Sequence, residues 1–280
     1  MTKFKANTRK DLPQIAEKLR LNRDQLTDMQ AVSAVLPFRV NDYVIERLID
    51  PESVPNDPIF QLTFPQRGML DEEDFRRMRD LVAKGASEAE IKLAADEIRG
   101  RLNPHPAGQM ELNVPRLDGE VVAGIQHKYQ ETVLFFPSQG QTCHAYCSYC
   151  FRWAQFIGDA DLKFASREVD HLVNYMKDNP QVSSVLITGG DPMVMKTPVL
   201  RRYIEPLLRA KLPNLQSIRI GTKALAYWPY RFTEGGDADD FLRLIEEVKA
   251  AGKHFALMAP SSHSRELEPK MARHAVERVL

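Results

Sequence analysis

Apolar positions in the first hundred residues recur at helical spacing. Asp11 and Pro13 open a segment in which Ile15, Leu19 and Leu26 fall on one face. Val40 to Ile49 forms a second, short amphipathic run, and Pro51, Pro55 and Pro58 then break the chain into a loop. Two further helices are predicted over 71–84 and 87–102, the second opened by a Ser87/Glu90 capping box. Asn103 to Arg116, with three prolines, reads as a linker.

Beyond the linker the period changes. Short apolar strands alternate with amphipathic helices: a strand at Val133–Pro137, then a helix capped by Ser166 with Val169, Leu172, Val173 and Met176 on one face. A strand at Ser183–Thr188 precedes a helix begun by Thr197 and Pro198. A strand at Ser217–Gly221 precedes a helix capped by Asp237 and ending near Gly252. A fourth strand, Phe255–Ala259, leads into a last helix over 265–280. Such alternation predicts an α/β fold, a parallel sheet with crossover helices and functional loops at the carboxyl ends of the strands. Four units cannot close a full barrel, so the expectation is a partial (βα) barrel over 116–280, preceded by a helical N-terminal region and linker over 1–115.

Composition narrows the function classes. Lysine plus arginine equals aspartate plus glutamate at 38 each, which offers no basic excess for nucleic acid. No signal-peptide core follows Met1 and no run approaches a membrane span, so a cytoplasmic protein without a membrane partner is expected.

The three cysteines all lie between positions 143 and 150, which disfavours disulfides and points to metal or redox chemistry. Cys143-His144-Ala145-Tyr146-Cys147-Ser148-Tyr149-Cys150 directly follows the first strand of the second region. Three thiolates can hold an iron-sulfur cube while one iron keeps an open position for a substrate. The alternatives are a structural zinc site with a histidine as fourth ligand, or buried cysteines without a ligand role. A second motif, Thr188-Gly189-Gly190-Asp191-Pro192, ends a predicted strand. Glycines there would let backbone carbonyls approach a ligand, and a carboxylate complements an ammonium. Gly235-Gly236-Asp237 has the same composition but precedes a helix and reads as a loop with a cap.

The C-x3-C-x2-C loop after a first barrel strand resembles the radical S-adenosylmethionine superfamily, with Tyr149 at the aromatic position before the last cysteine. The resemblance implies a 4Fe-4S cluster on Cys143, Cys147 and Cys150, with S-adenosylmethionine chelated at the open iron and cleaved to a 5′-deoxyadenosyl radical. It also implies an external electron donor. It narrows to the lysine 2,3-aminomutase family through Phe38-Arg39-Val40-Asn41-Asp42-Tyr43, Leu48-Ile49-Asp50, His127-Lys128-Tyr129 and Arg219-Ile220-Gly221-Thr222-Lys223.

The family resemblance implies roles for further residues. Thr188, Gly189, Gly190, Asp191, Thr222 and Lys223 join Tyr149 in holding S-adenosylmethionine. Lys128 and Tyr129 stand at the phosphate-binding segment for pyridoxal phosphate, and Arg152 binds the carboxylate of an amino-acid-like substrate. The sequence departs from the family where Lys128 and Thr132 replace arginines of that segment. It departs again at Pro260-Ser261-Ser262-His263-Ser264, where only the second of the family's two histidines remains. No glycine-rich segment carrying the Schiff-base lysine occurs in these 280 residues, and the expected barrel lacks the family's last strands. The expected function is a radical enzyme of aminomutase (isomerase) type, with self-association into a homo-oligomer as a further expectation. The alternatives are a relative without pyridoxal phosphate, a non-catalytic iron-sulfur protein and a zinc-bound interaction module.

Overall fold

The computed structural model describes residues 2–102, 108, 110–117, 119–158 and 162–280. Part of the expected linker, 103–107 and 109, lies outside the described residues. The chain divides into two compact units: Lys3–Pro106 with His144–Leu162, and Met1–Thr2 with Ala107–Cys143 and Lys163–Leu280.

In the first of these, β1 (Ala6–Thr8) precedes α1 (Leu12–Lys18) and α2 (Arg23–Val35). The single helical segment expected around Ile15, Leu19 and Leu26 is therefore two helices. The break falls at Arg20, whose φ of 55° is left-handed, and Asn22 restarts the helix by accepting the Gln25 N–H. β2 (Arg39–Asn41) pairs antiparallel with β1, and a π-helical turn at Val44–Leu48 follows. The amphipathic run at 40–49 is thus part strand, part turn. α3 (Pro58–Thr63) is capped by Asp57, which accepts from the N–H groups of Ile59 and Phe60. α4 (Glu72–Ala83) and α5 (Glu88–Arg101) match the sequence reading, with the Ser87/Glu90 capping box formed. Val32, Val35, Phe75, Met78, Ile91 and Ile98 close a core between α2, α4 and α5. Each such buried side chain contributes roughly 1.5–3 kcal/mol.

The other unit opens with a small hairpin, β3 (Arg116–Leu117) and β4 (Glu120–Val121). Its centre is a five-stranded sheet in the order β5 (Ile125–Tyr129), β6 (Thr132–Phe135), β7 (Ser184–Ile187), β8 (Ser217–Gly221) and β9 (His254–Met258). β6 to β9 are parallel, while β5 pairs antiparallel with β6 as a hairpin arm. The sequence reading found the four parallel strands within one or two residues and missed β5, because its polar His127-Lys128 half breaks the apolar signal.

α6 (Val169–Asp178), α7 (Thr197–Arg209) and α10 (Gly235–Ala250) follow β6, β7 and β8. Short helices α8 (Ala224–Tyr227) and α9 (Tyr230–Thr233) lie between β8 and α10, and α11 (Lys270–Val279) comes last. Val133, Phe135, Val185, Ile187, Ile218 and Ile220 pack with Leu172, Met176, Leu200, Ile204, Phe241 and Leu244 in one core. The alternate strand residues Thr132, Leu134, Leu186, Ser217 and Arg219 are half-buried on the opposite face.

Several helix starts differ from the sequence reading. Ser166 does not cap α6: its backbone pairs with 136–138, and its hydroxyl accepts from the Glu168 N–H ahead of the helix. Thr197 is the first residue of α7 rather than its cap, and its hydroxyl donates to the Asp237 carbonyl. Asp237, with Gly235 and Gly236, lies inside the first turn of α10. There its carboxylate accepts from Thr197 N and faces Arg231 at 3.0 Å. In both helices tertiary partners claim the residues that local preference assigns to caps. Over 265–280, Pro269 separates a 3-10 turn at Ser264–Leu267 from α11.

Candidate functional site

The β6–β9 sheet gathers six of the predicted residues at the carboxyl ends of β7 and β8. Thr188 extends β7, its N–H donating to the Phe135 carbonyl, and Gly189 (φ 142°) and Gly190 turn the chain away. The glycines have a reason the sequence did not supply. A Cβ on Gly190 would run into the carbonyl oxygen and the nitrogen of Thr142. A Cβ on Gly189 would meet the Gln141 amide. The turn is glycine-rich because the segment leading into Cys143 lies directly against it. Asp191 N–H donates to the Thr142 carbonyl at 2.6 Å, which ties the two together.

Asp191 is 3% exposed, and its carboxylate is engaged within the protein. It accepts from Met193 N–H at 2.9 Å, the Thr222 hydroxyl at 2.7 Å and Lys223 N–H at 2.9 Å. One side chain thus caps the 3-10 turn at Pro192–Val194 and fixes the first residues after β8. Thr222 is buried and also accepts from the Ala224 N–H.

The Lys223 ammonium turns to Glu266 at 2.7 Å and lies 4.5 Å from the Tyr227 ring centre. Glu266 is fully buried and accepts from the Ser261 hydroxyl and the Ser262 N–H, both at 3.0 Å. Sequence reasoning missed Glu266, although its setting just after the Pro260–Ser264 segment was a hint. Arg231, also missed, is 9% exposed and donates to the carbonyls of Met193 and Met195 and to Thr197 Oγ1. Burial pulls its guanidinium below the usual arginine value, and Asp237 opposes that shift.

Lys128 and Tyr129 lie elsewhere. They end β5 at the hairpin turn, where Tyr129 pairs with Thr132 at the amino end of β6, and Tyr129 is 55% exposed. The length of β6, about 10 Å at 3.3 Å per residue, separates that turn from the carboxyl end where the Gly-Gly-Asp turn sits. His127 bonds the Tyr175 hydroxyl at 2.6 Å, and Thr132 accepts from Arg219 at 2.9 Å. The two sets of predicted cofactor residues are therefore not brought together.

The cysteine loop contributes Cys143 to the sheet unit and Cys147, Tyr149, Cys150 and Arg152 to the helical one. None of the three cysteines is in a disulfide and each is partly exposed. A turn closed by Cys150 N–H to the Cys147 carbonyl at 3.0 Å brings these two near each other. Tyr149 is 61% exposed and Arg152 is buried. Burial pushes the Cys150 thiol up; a hydrogen bond from the Arg152 backbone and the Arg152 charge oppose that shift.

Among the described residues no three His, Cys, Asp or Glu side chains converge on a single ion position. A cluster asks for something different: each thiolate ligates its own iron, so the sulfurs surround a cube rather than a point. Three partly exposed thiols within eight residues are the donor set such a cube takes. Among the described residues no helix is long and apolar enough to cross a membrane.

No family model matches the chain. It is 37% identical over 159 residues to a putative L-lysine 2,3-aminomutase of Aquifex aeolicus, covering 56% of this chain and 40% of that protein. It is 26% identical over 211 residues to the L-lysine 2,3-aminomutase of Bacillus subtilis, covering 66% and 43%. It is 22% identical over 237 residues to the glutamate 2,3-aminomutase of Clostridioides difficile, covering 85% and 45%. In each of these alignments the chain spans less than half of the relative's length.

Proposed function

From this chain's membership of the lysine 2,3-aminomutase-like family, we propose that it is a radical S-adenosylmethionine enzyme acting on an amino-acid-like substrate. Cys143, Cys147 and Cys150 hold a 4Fe-4S cluster. When bound and reduced by an external donor, the cluster supplies the electron that cleaves S-adenosylmethionine to a 5′-deoxyadenosyl radical. The protein's own part is to fix and shield that chemistry.

The single observation that carries the reading is the docking of residues 140–142 on the Gly189–Asp191 turn, held by the 2.6 Å bond from Asp191 to Thr142. It sets the entry to the cysteine loop beside the ends of β7 and β8, where ligands of α/β sheets bind. On this reading Gly189 and Gly190 present backbone groups to the methionine end of the ligand. Asp191, Thr222 and Lys223 keep that backbone in place, and the exposed Tyr149 ring covers the adenine. Arg152 offers its fork to the substrate carboxylate. On this reading residues 116–280 make up a partial barrel of radical S-adenosylmethionine type that follows a helical region over 1–115.

A second reading, a relative that works without pyridoxal phosphate, is favoured by one observation. Lys128 and Tyr129 sit on an exposed hairpin at the far end of β6, so the residues present do not form a pyridoxal phosphate site beside the Gly-Gly-Asp turn.

The test is anaerobic reconstitution, iron and sulfide analysis, then reduction with S-adenosylmethionine present. A full iron and sulfide complement and release of 5′-deoxyadenosine are expected, with both lost in Cys147→Ala. Zinc in place of iron, or intact S-adenosylmethionine after reduction, refutes the proposal. An aldimine band on adding pyridoxal phosphate would reject the second reading.

A further inference from the structure

The segment Phe38–Tyr43 resembles the family, yet the proposed chemistry gives it no task. Its contacts supply one. Asn41 is fully buried, a costly place for an amide unless its polar atoms are bonded. Its Oδ1 accepts from Val44 N–H at 2.9 Å, holding the turn that follows β2. Its Nδ2 donates to the carbonyl of His144, the residue after the first cysteine, at 3.3 Å.

Two residues further along the loop, Tyr146 N–H donates to the Arg39 carbonyl of β2 at 2.8 Å. Two residues beyond that, Ser148 N–H donates to the Leu62 carbonyl at 2.7 Å. Leu62 lies in the last turn of α3, where helix carbonyls lack intrahelical partners. Anchors at 144, 146 and 148 have the period of an extended strand, so this stretch lies against β2 and the end of α3. The side chains reinforce it: the His144 ring stands edge-on to Phe4 at 5.6 Å, and Tyr146 stacks on Phe156 at 4.6 Å.

We propose that Arg39–Asn41 and the carboxyl end of α3 form a template that threads the cysteine loop, and that Asn41 is a positioning residue for Cys147. Cys147 sits between two anchored amides, those of Tyr146 and Ser148. The peptide that follows Cys147 is held at both ends, its N–H by the Leu62 carbonyl and its carbonyl by the Cys150 N–H, so the backbone path through Cys147 is restrained before any metal arrives. This gives the helical region a part in cluster assembly. The inference rests on the proposed cluster for its chemistry, and on the hydrogen bonds alone for its geometry.

The test uses anaerobically reconstituted protein, wild type and Asn41→Ser. Serine keeps an oxygen for the Val44 N–H but cannot reach His144. Hydrogen exchange over residues 144–149 is followed by mass spectrometry, and cluster loss to a chelator by visible absorbance. Losing one such bond is expected to speed both by about five- to tenfold, with exchange in α2 and α4 unchanged. Unchanged exchange over 144–149 overturns the template, and faster exchange with an unchanged cluster lifetime overturns the positioning role. Should the variant not fold, the wild type alone decides: Tyr146 and Ser148 amides exchanging as fast as an unstructured peptide overturn the template. A wild type that takes up no iron fails the cluster reading separately, and the exchange measurement then still decides the template.

Discussion

Replacing Asp191 with asparagine separates two jobs that one carboxylate could have. In the structure it is a buried latch with three donors at 2.7–2.9 Å from Met193, Thr222 and Lys223. Asparagine can keep its oxygen toward Met193 N–H and Thr222, since both bond the same carboxylate oxygen. Its NH2 group then meets the Lys223 N–H, donor against donor. The loss is one hydrogen bond to a charged acceptor plus a buried N–H left without a partner, about 2–3 kcal/mol. For a chain of this size that lowers the melting temperature by about 3–5 °C. Asp191→Ala strands all three donors and costs on the order of 4–6 kcal/mol.

The assay is thermal unfolding by far-ultraviolet circular dichroism without S-adenosylmethionine, paired with its binding to reconstituted protein. A variant that melts with the wild type but binds S-adenosylmethionine weakly would refute the latch. The carboxylate would then act on the ligand directly.

The same geometry sets other outcomes. Gly190→Ala drives a methyl group into the Thr142 backbone; overpacking of this kind costs about 1–3 kcal/mol and should lower iron uptake, and wild-type stability and iron content would contradict it. Glu266→Gln removes the fully buried anion of the half-buried Lys223 ammonium and should cost about 3–5 kcal/mol in urea unfolding, whereas an unshifted midpoint would show the pair to be dispensable. Acid should weaken the fold through Glu72, Glu90 and Asp240, held below the usual carboxylate range chiefly by hydrogen bonds from Arg67, Ser87 and Arg201. A folded value below the unfolded one means stability present above the ordinary range and lost as pH falls through the depressed values. Urea midpoints should therefore be flat from pH 7 to about 5 and fall below that, and a midpoint constant down to pH 3 would refute the assignment.

Much was legible in the residues alone. The switch from helical spacing to strand-helix alternation located the four parallel strands, because strands covered on one face by helices must be apolar at alternate positions. The Ser87/Glu90 box located the start of α5, because that cap is satisfied within four residues of chain. The three cysteines stood out because few other uses explain such spacing, and Gly189-Gly190-Asp191 because, unlike Gly235-Gly236-Asp237, it follows the end of a strand. Ser166, Thr197 and Asp237 defeated the same reasoning, since each is bonded to a residue distant in sequence.

The sequence by itself determined the order of elements, the apolar faces and the candidate ligands, all of which depend on residues within a few positions of each other. The tertiary structure alone decided what those residues touch. It bonded the Asp191 carboxylate between two strand ends and packed Thr142 against the glycine beside it. It paired Lys223 with the buried Glu266, and it set Lys128 and Tyr129 at the other end of β6. Hydrogen bonds and steric contacts act over a few ångströms in space, and a chain that folds back on itself brings to that range residues whose separation in sequence carries no signal.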